Sequence, residues 1–187
     1  MRQRSQQVAL TRERIITAAA GLFAELGARA TSMTEVARLA DVSTATVTNH
    51  FATPELLIEA VVAHLMAQLD VPGEEIFAGK RSAAARLAAL ASAMFEFFER
   101  HSHWYYILGD ELTQVPAIAN ADAAFRRSVQ RLHELALAGI DDEMVAKSAA
   151  GLIHPATLSA LKEVGMSVDE AAAVVSDFLA HQARRRR

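Results

Sequence analysis

The stretch that decides the fold lies at residues 32–51 and reads SMTEVARLADVSTATVTNHF. Ser32 and Glu35 have the spacing of a capping box, in which the hydroxyl accepts the Glu35 backbone N–H and the carboxylate bonds back to Ser32. This pattern predicts a helix from about residue 33. Ser43 is a second N-cap candidate and predicts another short helix over 44–50. Asp41 stands in the turn between the two helices, where we expect a positive φ, which Asp tolerates.

Two short helices with this spacing are typical of a helix-turn-helix, whose second helix enters the major groove of DNA. The outward residues of the second helix are short and polar or carry methyl groups. Asn can bond adenine bidentately, and Thr or Ala methyl groups can contact thymine. The alternative is a helical hairpin that only packs. The predicted DNA-binding residues are Ser32, Arg38, Ser43, Thr44, Ala45, Thr46, Thr48, Asn49, His50 and Thr53.

The charge is unevenly distributed along the chain. Residues 1–52 hold six Arg against four acidic residues, and residues 53–183 hold nine basic against eighteen acidic ones, within an overall net charge of −3. Four Arg follow at 184–187. A DNA duplex is attracted to residues 1–52 and repelled by residues 53–183, so the charge asymmetry indicates that the two segments have different functions.

Length and composition narrow the class of protein. The chain has 187 residues, of which 52% are apolar and none is Cys. Much Ala and Leu with few β-branched runs favours an all-helical protein, and the length suits two small domains. Lack of Cys excludes disulfide and thiolate chemistry. Since no apolar run reaches transmembrane length and no signal peptide opens the chain, we expect a soluble cytoplasmic protein without a membrane partner.

Helices are also predicted on both sides of the central pair. Thr11 is a candidate cap for a helix over 12–26 that ends at Gly27, and residues 1–10 are predicted to be a flexible arm. Thr53 with Pro54 predicts a connecting helix to about residue 69. We expect this helix to join the DNA-reading part to the rest of the chain.

A longer pattern surrounds the helix pair. It runs in order through Thr11-Arg12-Glu13-Arg14-Ile15-Ile16, Ala19-Ala20, Leu22-Phe23, Gly27, Ala30-Thr31-Ser32, Val36-Ala37, Ala40-Asp41-Val42-Ser43 and His50-Phe51. Over residues 11 to about 65 the chain thus resembles the N-terminal domain of TetR-type transcriptional repressors. The resemblance implies a homodimeric repressor that binds a palindromic operator and carries a helical effector-binding domain.

Two positions depart from that family pattern. Thr48 stands where the family usually has Tyr, and Pro54 where it usually has Lys; both normally contact phosphate. Phosphate contacts are therefore expected from Arg29, Arg38, the N-terminal arm, His50, Thr53 and backbone N–H groups at helix starts. We expect about two to four phosphate contacts per subunit.

The second half of the chain predicts further helices. They cover 82 to about 100, a short piece to 112, about 120 to 137, 142–164 with a kink at Pro155, and 168–182 opened by a second capping box of Ser167 and Glu170. The predicted division is an arm at 1–10, a DNA-binding domain at 11–69, an effector-binding and dimerisation domain at 70–183, and a basic tail at 184–187.

An aromatic cluster in this half suggests a pocket for a small apolar or aromatic ligand, although most of the cluster can equally be core. The predicted ligand-binding residues are Met66, Met94, Phe95, Phe98, His101, Trp104 and Tyr105. Small residues let two helices of each subunit approach closely, and the resemblance implies dimerisation there; intrachain packing is the alternative. The predicted interface residues are Ala146, Ala149, Ile153, Ala171, Val175 and Phe178.

Catalytic chemistry finds no support in the pattern. The chain has no phosphate loop, no nucleophile elbow and no helical Glu-x-x-His pair, so we expect no enzyme, no cofactor and no metal. Two other functions stay open. One is a TetR-like helical protein that binds a ligand or partner with weak or no DNA affinity, and the other is a helical-bundle enzyme.

Overall fold

The computed structural model describes residues 2–109, 111 and 114–185; of residues 2, 3, 102–109 and 185 it describes only the backbone. All the regular secondary structure in these residues is helical. Within these residues the prediction of an all-α fold is confirmed. The helices are α1 (Arg2–Leu26), α2 (Met33–Leu39), α3 (Thr44–His50), α4 (Pro54–Gln68), a 3-10 turn (Glu74–Phe77), α5 (Ala83–Gly109), α6 (Pro116–Ala136), α7 (Glu143–Leu152), α8 (Pro155–Glu163) and α9 (Val168–Arg185).

Two compact units divide the chain. The N-terminal unit comprises the described residues up to Leu69 together with those of His103–Ala124, and the C-terminal unit comprises Asp70–Ser102 with the described residues from Phe125 onward. The described residues of 103–124 belong to the N-terminal unit, and Val115 and Ile118 are buried in its core.

The N-terminal unit has one apolar core that α1 to α4 and the start of α6 share. Its largest fully buried side chains are Phe23, Ile15, Val36, Val47 and Val61. The core holds the helix-turn-helix against α1 and α4, and removal of this apolar area from water is the main force that does so.

Local signals in the helix-turn-helix are as predicted. Ser32 and Glu35 form the capping box that starts α2, and the side chain of Ser43 accepts the Thr46 backbone N–H at the start of α3. Asp41 has a φ of 53° in the turn, a left-handed conformation that Asp adopts more easily than most residues. These four residues, Ser32, Glu35, Ser43 and Asp41, fix the beginning of each helix and the reversal between them.

The prediction of a flexible arm at residues 1–10 is wrong for the described residues, because α1 begins at Arg2. Thr11 is not a cap; its hydroxyl donates to the carbonyl of Gln7 four residues earlier. Residues 2–10 contain good helix formers and neither Gly nor Pro, so nothing stops the helix from extending N-terminally.

The C-terminal unit has its own apolar core, to which α5 to α9 all contribute. Its fully buried side chains include Leu87, Leu90, Phe95, Val145 and Leu179. Arg86 on α5 also reaches the end of α6, where its guanidinium donates to the carbonyls of Ala136 and Ala138. Such bonds satisfy carbonyls that the last helical turn leaves unpaired.

Several predicted boundaries in this half are wrong. Helix α5 continues to Gly109 instead of ending near residue 100, and α6 begins at Pro116 instead of near residue 120. The cap of α7 is Asp142, whose side chain accepts two backbone N–H bonds, and the helix itself begins at Glu143. The expected kinked helix over 142–164 is two helices, because Pro155 occupies the first position of α8 and so starts a new helix.

Two further expectations concern chain ends and the connecting helix. Helix α9 runs to Arg185, so the expected basic tail begins within the helix, and Arg186 and Arg187 lie outside the described residues. Helix α4 belongs wholly to the N-terminal unit, where Leu65 and Met66 pack against the core. The Ser167–Glu170 capping box at the start of α9 is formed as predicted.

Candidate functional site

Helix α3 presents one face to its own core and another to solvent. Val47 is completely buried, whereas Thr44, Ala45, Thr48 and Asn49 are exposed. This division follows from the helical period, since residues three or four apart share a face. The exposed surface is therefore made of the side chains that the sequence predicted to face DNA.

Hydrogen bonding leaves some of these groups available and occupies others. The amide of Asn49 bonds to no described residue, so both its donor and its acceptor are open to a base edge. The Thr48 hydroxyl donates to the Thr44 carbonyl at 3.1 Å. The Thr46 hydroxyl is 2.8 Å from that of Ser43, which also accepts the Thr46 backbone N–H. Asn49, with the methyl group of Ala45, is thus the part of α3 best able to read a base.

Basic side chains near α3 are few. Arg38 on α2 and Arg29 before it are exposed, and their guanidinium groups pair with no carboxylate among the described residues. Arg12 on α1 also contacts the motif, since its guanidinium carbon is 4.9 Å from the centre of the Phe51 ring. Arginine in this position joins α1 to the end of α3 through a cation–π contact and still carries a positive charge.

Three other predicted DNA-binding residues have structural tasks at the edges of the motif. The Ser32 hydroxyl accepts the Glu35 backbone N–H at 3.2 Å, and the Thr53 hydroxyl accepts that of Leu56 at 3.4 Å. His50 is half-buried, with its ring 6.4 Å from that of Phe51. Helix starts such as these carry unpaired N–H groups that attract phosphate, so a capping role is compatible with a backbone contact.

An acidic residue also lies at the start of α4. The pKa of Glu55 is lowered, chiefly by a hydrogen bond from its own backbone N–H and then by one from the Thr53 side chain. Where the family pattern places a Lys, the chain has Pro54, which is the first residue of α4. This end of α4 therefore repels phosphate by charge and attracts it only through the helix terminus.

Sequence reasoning missed Glu111, which holds the turn before α2. Its side chain is buried, with 9% of its surface exposed. One carboxylate oxygen accepts the Ala28 backbone N–H and the other that of Arg29, both at 2.9 Å. No local pattern reveals this contact, because 82 or 83 residues separate the partners.

The predicted ligand-binding residues are distributed over both units. Met66 packs against the N-terminal core, and Met94, Phe95 and Phe98 are buried in the C-terminal unit. The His101 ring lies 4.8 Å from that of Phe97, which is itself buried and stacks on Phe125 at 5.4 Å. The side chains of Trp104 and Tyr105 lie outside the described residues. Phe97 is the member of this cluster that sequence reasoning left out.

The predicted dimer interface needs correction. Ala149, Ile153, Ala171 and Val175 are buried within their own chain, so they are core residues and cannot form a surface for a partner. Ala146 is half-buried, and Phe178 is 46% exposed. The alternative of intrachain packing is therefore right for four of the six. Their spacing was compatible with either role, because both require an apolar face.

The outer face of α9 carries two exposed apolar residues: Phe178, which the predicted interface includes, and Val174, which it does not. Val174 is 49% exposed and lies one turn before Phe178. Helical residues four apart are neighbours on one face, so the two side chains form a continuous apolar strip. We call Val174 and Phe178 the outer strip of α9.

Two features typical of other protein classes are absent from the part of the chain that the structure describes. Among the described residues, no three His, Asp or Glu side chains are grouped as metal ligands would be. No helix in the described part of the chain is long and apolar enough to cross a membrane.

Comparison with known proteins gives matches over both parts of the chain. Residues 15–61 match the family model described as bacterial regulatory proteins, tetR family. A curated relative, the HTH-type transcriptional repressor KstR2 of Mycobacterium tuberculosis, is 30% identical over 105 residues. That alignment covers 56% of this chain and 52% of the relative, so the chain spans about half the length of the curated relative it matches.

Solved structures match over nearly the whole chain. A transcriptional regulator from Rhodococcus sp. Rha1 has a TM-score of 0.65 at 22% identity, covering 91% of this chain and 96% of that one. The regulator FadR from Bacillus subtilis in complex with stearoyl-CoA has a TM-score of 0.61 at 18% identity, covering 89% and 96%. At these identities the likeness concerns the fold alone.

Proposed function

We propose that this chain, whose residues 15–61 match the model of the tetR family of bacterial regulatory proteins, is a sequence-specific DNA-binding transcriptional regulator without enzymatic activity. In this proposal it is a cytoplasmic homodimeric repressor that a small apolar or aromatic ligand releases from a palindromic operator. The exposed face of α3, formed by Thr44, Ala45, Thr48 and Asn49 over a buried Val47, is the observation that carries it. KstR2, with which the chain shares 30% identity over 105 residues, is itself a transcriptional repressor.

Base reading is assigned to α3. Asn49 bonds an adenine edge through its amide, and the methyl groups of Ala45 and Thr44 contact thymine. Arg29 and Arg38 contact phosphates, as do backbone N–H groups at the starts of α2, α3 and α4. Since few cations flank α3, we expect about two to four phosphate contacts per subunit.

A dimer places two copies of α3 about one turn of DNA apart, roughly 34 Å or a multiple of it. The outer strip of α9 supports self-association, because two exposed apolar side chains on one helix face favour burial against a second copy. We therefore assign dimerisation to this face of α9 in place of the buried residues that the sequence indicated. Residues 11–69 are assigned to DNA binding, and the rest of the chain to 183 to effector binding and dimerisation.

The ligand class follows from the aromatic and Met side chains of α5. Met94, Phe95 and Phe98 lie on one segment of that helix, and Trp104 and Tyr105 follow on the same helix. Apolar and aromatic side chains with a few polar groups are the usual lining of small-molecule sites. FadR, whose structure contains stearoyl-CoA, shows a protein of this fold with a ligand that carries a long apolar chain.

Release requires that the ligand prefer one conformation of the protein. A ligand can shift the equilibrium only by its differential affinity for the DNA-binding and the released states. A near-complete switch needs a difference of about 5 kcal/mol. Linkage then requires that operator DNA weaken ligand binding by the same factor.

The first experiment measures DNA binding by the full chain. Duplexes are selected from a random-sequence pool at low salt, and the selected duplex is titrated at several salt concentrations beside the duplex upstream of the coding sequence. We expect a palindrome, a two-to-one stoichiometry of chains to duplex, and for the dimer a log–log salt slope of about −4 to −7. A steeper slope would count against the small number of phosphate contacts, and absence of selection would overturn the proposal.

A second candidate is a TetR-like helical ligand- or partner-binding protein with weak or lost DNA binding. Two observations favour it: the Thr48 hydroxyl is engaged with the Thr44 carbonyl, and Pro54 supplies neither charge nor N–H at the start of α4. This candidate predicts no saturable binding even at low salt, together with ligand binding that DNA leaves unchanged. The same titrations therefore decide between the two.

A further inference from the structure

Glu111 joins two distant parts of the N-terminal unit. It lies two residues after the end of α5, and its two carboxylate oxygens accept the backbone N–H groups of Ala28 and Arg29 at 2.9 Å each. Hydrogen bonds to an ionised acceptor are roughly twice as strong as bonds between neutral groups. A buried carboxylate is stable only when its oxygens are satisfied in this way.

The turn that Glu111 holds lies between the end of α1 and the start of α2. Gly27 ends α1 with a φ of 85°, and a Cβ on it would stand 3.0 Å from a Glu111 oxygen. The Thr31 hydroxyl donates to the Gly27 carbonyl at 2.9 Å, and the capping box of α2 starts at the next residue. The short turn that donates two backbone N–H bonds to Glu111 therefore sets the direction in which α2 and α3 leave α1.

Apolar contacts already attach the segment around Glu111 to the core. Val115 and Ile118 are both buried in the core of the N-terminal unit. The hydrogen bonds that Glu111 accepts add a directional constraint on two particular N–H groups, which burial of apolar area does not provide. The Glu111 carboxylate also has an electrostatic disadvantage, since a negative charge in a DNA-binding unit repels phosphate.

We propose that Glu111 is a positioning residue for DNA binding, which keeps the turn at 27–29, and with it Arg29 and the helix-turn-helix, in the conformation that reads DNA. This inference rests on the proposed function. The two hydrogen bonds that Glu111 accepts raise the fraction of molecules that are competent to bind DNA, and the apparent affinity for DNA scales with that fraction. Because both N–H groups bond to the one carboxylate, a shift of Glu111 releases them together.

The test compares Glu111→Gln with Ile118→Val in the full-length protein. Glutamine keeps the size of the side chain but can accept only one of the two N–H bonds, and its amide group opposes the other N–H. Ile118→Val loosens the same segment without changing a hydrogen bond to the turn. Both variants are titrated with the duplex selected for the wild-type protein, at temperatures well below their unfolding midpoints.

The direction in which DNA affinity changes in Glu111→Gln distinguishes a positioning role from an effect of charge alone. Glu111→Gln removes a negative charge, so electrostatics alone would strengthen DNA binding. Positioning predicts weaker binding by about tenfold, the smallest effect expected for the loss of one hydrogen bond to a charged group. The salt slope should fall by no more than about one unit, which corresponds to the contact of Arg29.

Amide hydrogen exchange gives a readout that does not depend on DNA. In Glu111→Gln the amide protons of Ala28 and Arg29 should exchange about tenfold faster, whereas Ile118→Val should leave their relative protection unchanged. Weaker DNA binding in Glu111→Gln, with near wild-type binding in Ile118→Val, supports the proposal. Equal or tighter binding in Glu111→Gln, or equal weakening in both variants, overturns it. If the wild-type protein selects no duplex, the proposed function itself fails and the positioning role fails with it.

Discussion

Phe178 and Val175 of α9 differ in exposure, so we expect their substitution by Ala to affect different properties of the protein. Phe178 is 46% exposed and Val175 is 4% exposed. Full burial of a Phe side chain contributes about 1.5–3 kcal/mol, so burial of the exposed half contributes about 0.7–1.5 kcal/mol per copy. A two-fold interface buries both copies, and Phe178→Ala should therefore weaken the dimer by about 1.5–3 kcal/mol, which is roughly 10- to 150-fold in the dimer dissociation constant.

Sedimentation equilibrium over a range of protein concentrations measures this constant, and urea unfolding measures stability separately. Leu56→Ala is a matched control, because Leu56 is also 46% exposed but lies on α4 in the N-terminal unit. It should leave the dimer constant unchanged. Val175→Ala should instead lower the free energy of unfolding of the chain by about 2 kcal/mol, since it removes two buried methyl groups.

Equal dissociation constants for Phe178→Ala and the wild-type protein would refute the assignment of the outer strip as the dimer interface. A loss of stability in Phe178→Ala that matches the one in Val175→Ala would show that Phe178 is a core residue as well. Weaker association in Leu56→Ala would point to an interface in the other unit.

Three further predictions concern single residues. Asp41→Ala should lower the free energy of unfolding in urea by about 1 kcal/mol, because Ala is strained at a positive φ, whereas Asp41→Gly should change it by only a few tenths. Asn49→Ala should reduce the preference for the selected duplex over a random one by about 1–3 kcal/mol, while Arg38→Ala should weaken binding to both equally and lower the salt slope by about one. The pKa of Glu170 is lowered from 4.5 by bonds from the Ser167 backbone N–H and hydroxyl, so its contribution to stability is present above pH 4.5 and is lost as the pH falls through the folded pKa. The difference in unfolding midpoint between the wild-type protein and Glu170→Gln should therefore shrink between pH 7 and pH 3.

Predictions that depended on a few neighbouring residues succeeded in the helix-turn-helix. Ser32 with Glu35, Ser43 and the positive φ of Asp41 are all decided within one or two turns of chain. The same is true of the Ser167–Glu170 box at the start of α9. Local hydrogen bonds of this kind recur wherever the residues recur, so they can be derived from sequence spacing.

Predictions that required knowledge of the end of a helix were less successful. Thr11 was taken for a cap, yet its hydroxyl bonds to the preceding turn and α1 continues to Arg2. Thr is compatible with both roles, since its side chain can bond to N–H groups ahead or to a carbonyl behind. The extension of α5 to Gly109 has the same origin, because no Gly or Pro stands between Arg100 and Gly109 to stop it.

Contacts between distant residues were beyond local reasoning altogether. Glu111 looks like any surface acid in the sequence, and only the folded chain places it against Ala28 and Arg29. The buried face of α9 presents a related difficulty. Ala171 and Val175 have the period of an interface and of a core alike, so the sequence identifies an apolar face without identifying its partner.

Sparse phosphate contacts and the outer strip of α9 have a joint consequence. If each subunit holds only about two to four phosphates, a single half-site binds weakly at physiological salt. Affinity for the operator then depends on two half-sites bound together, because the second subunit binds at the high effective concentration that the first creates. Phe178→Ala should therefore weaken operator binding at protein concentrations below its raised dimer dissociation constant, although Phe178 contacts no DNA in this proposal. At concentrations well above that constant the variant should recover wild-type occupancy, and failure to recover would mean that Phe178 acts on the DNA-binding unit by another route.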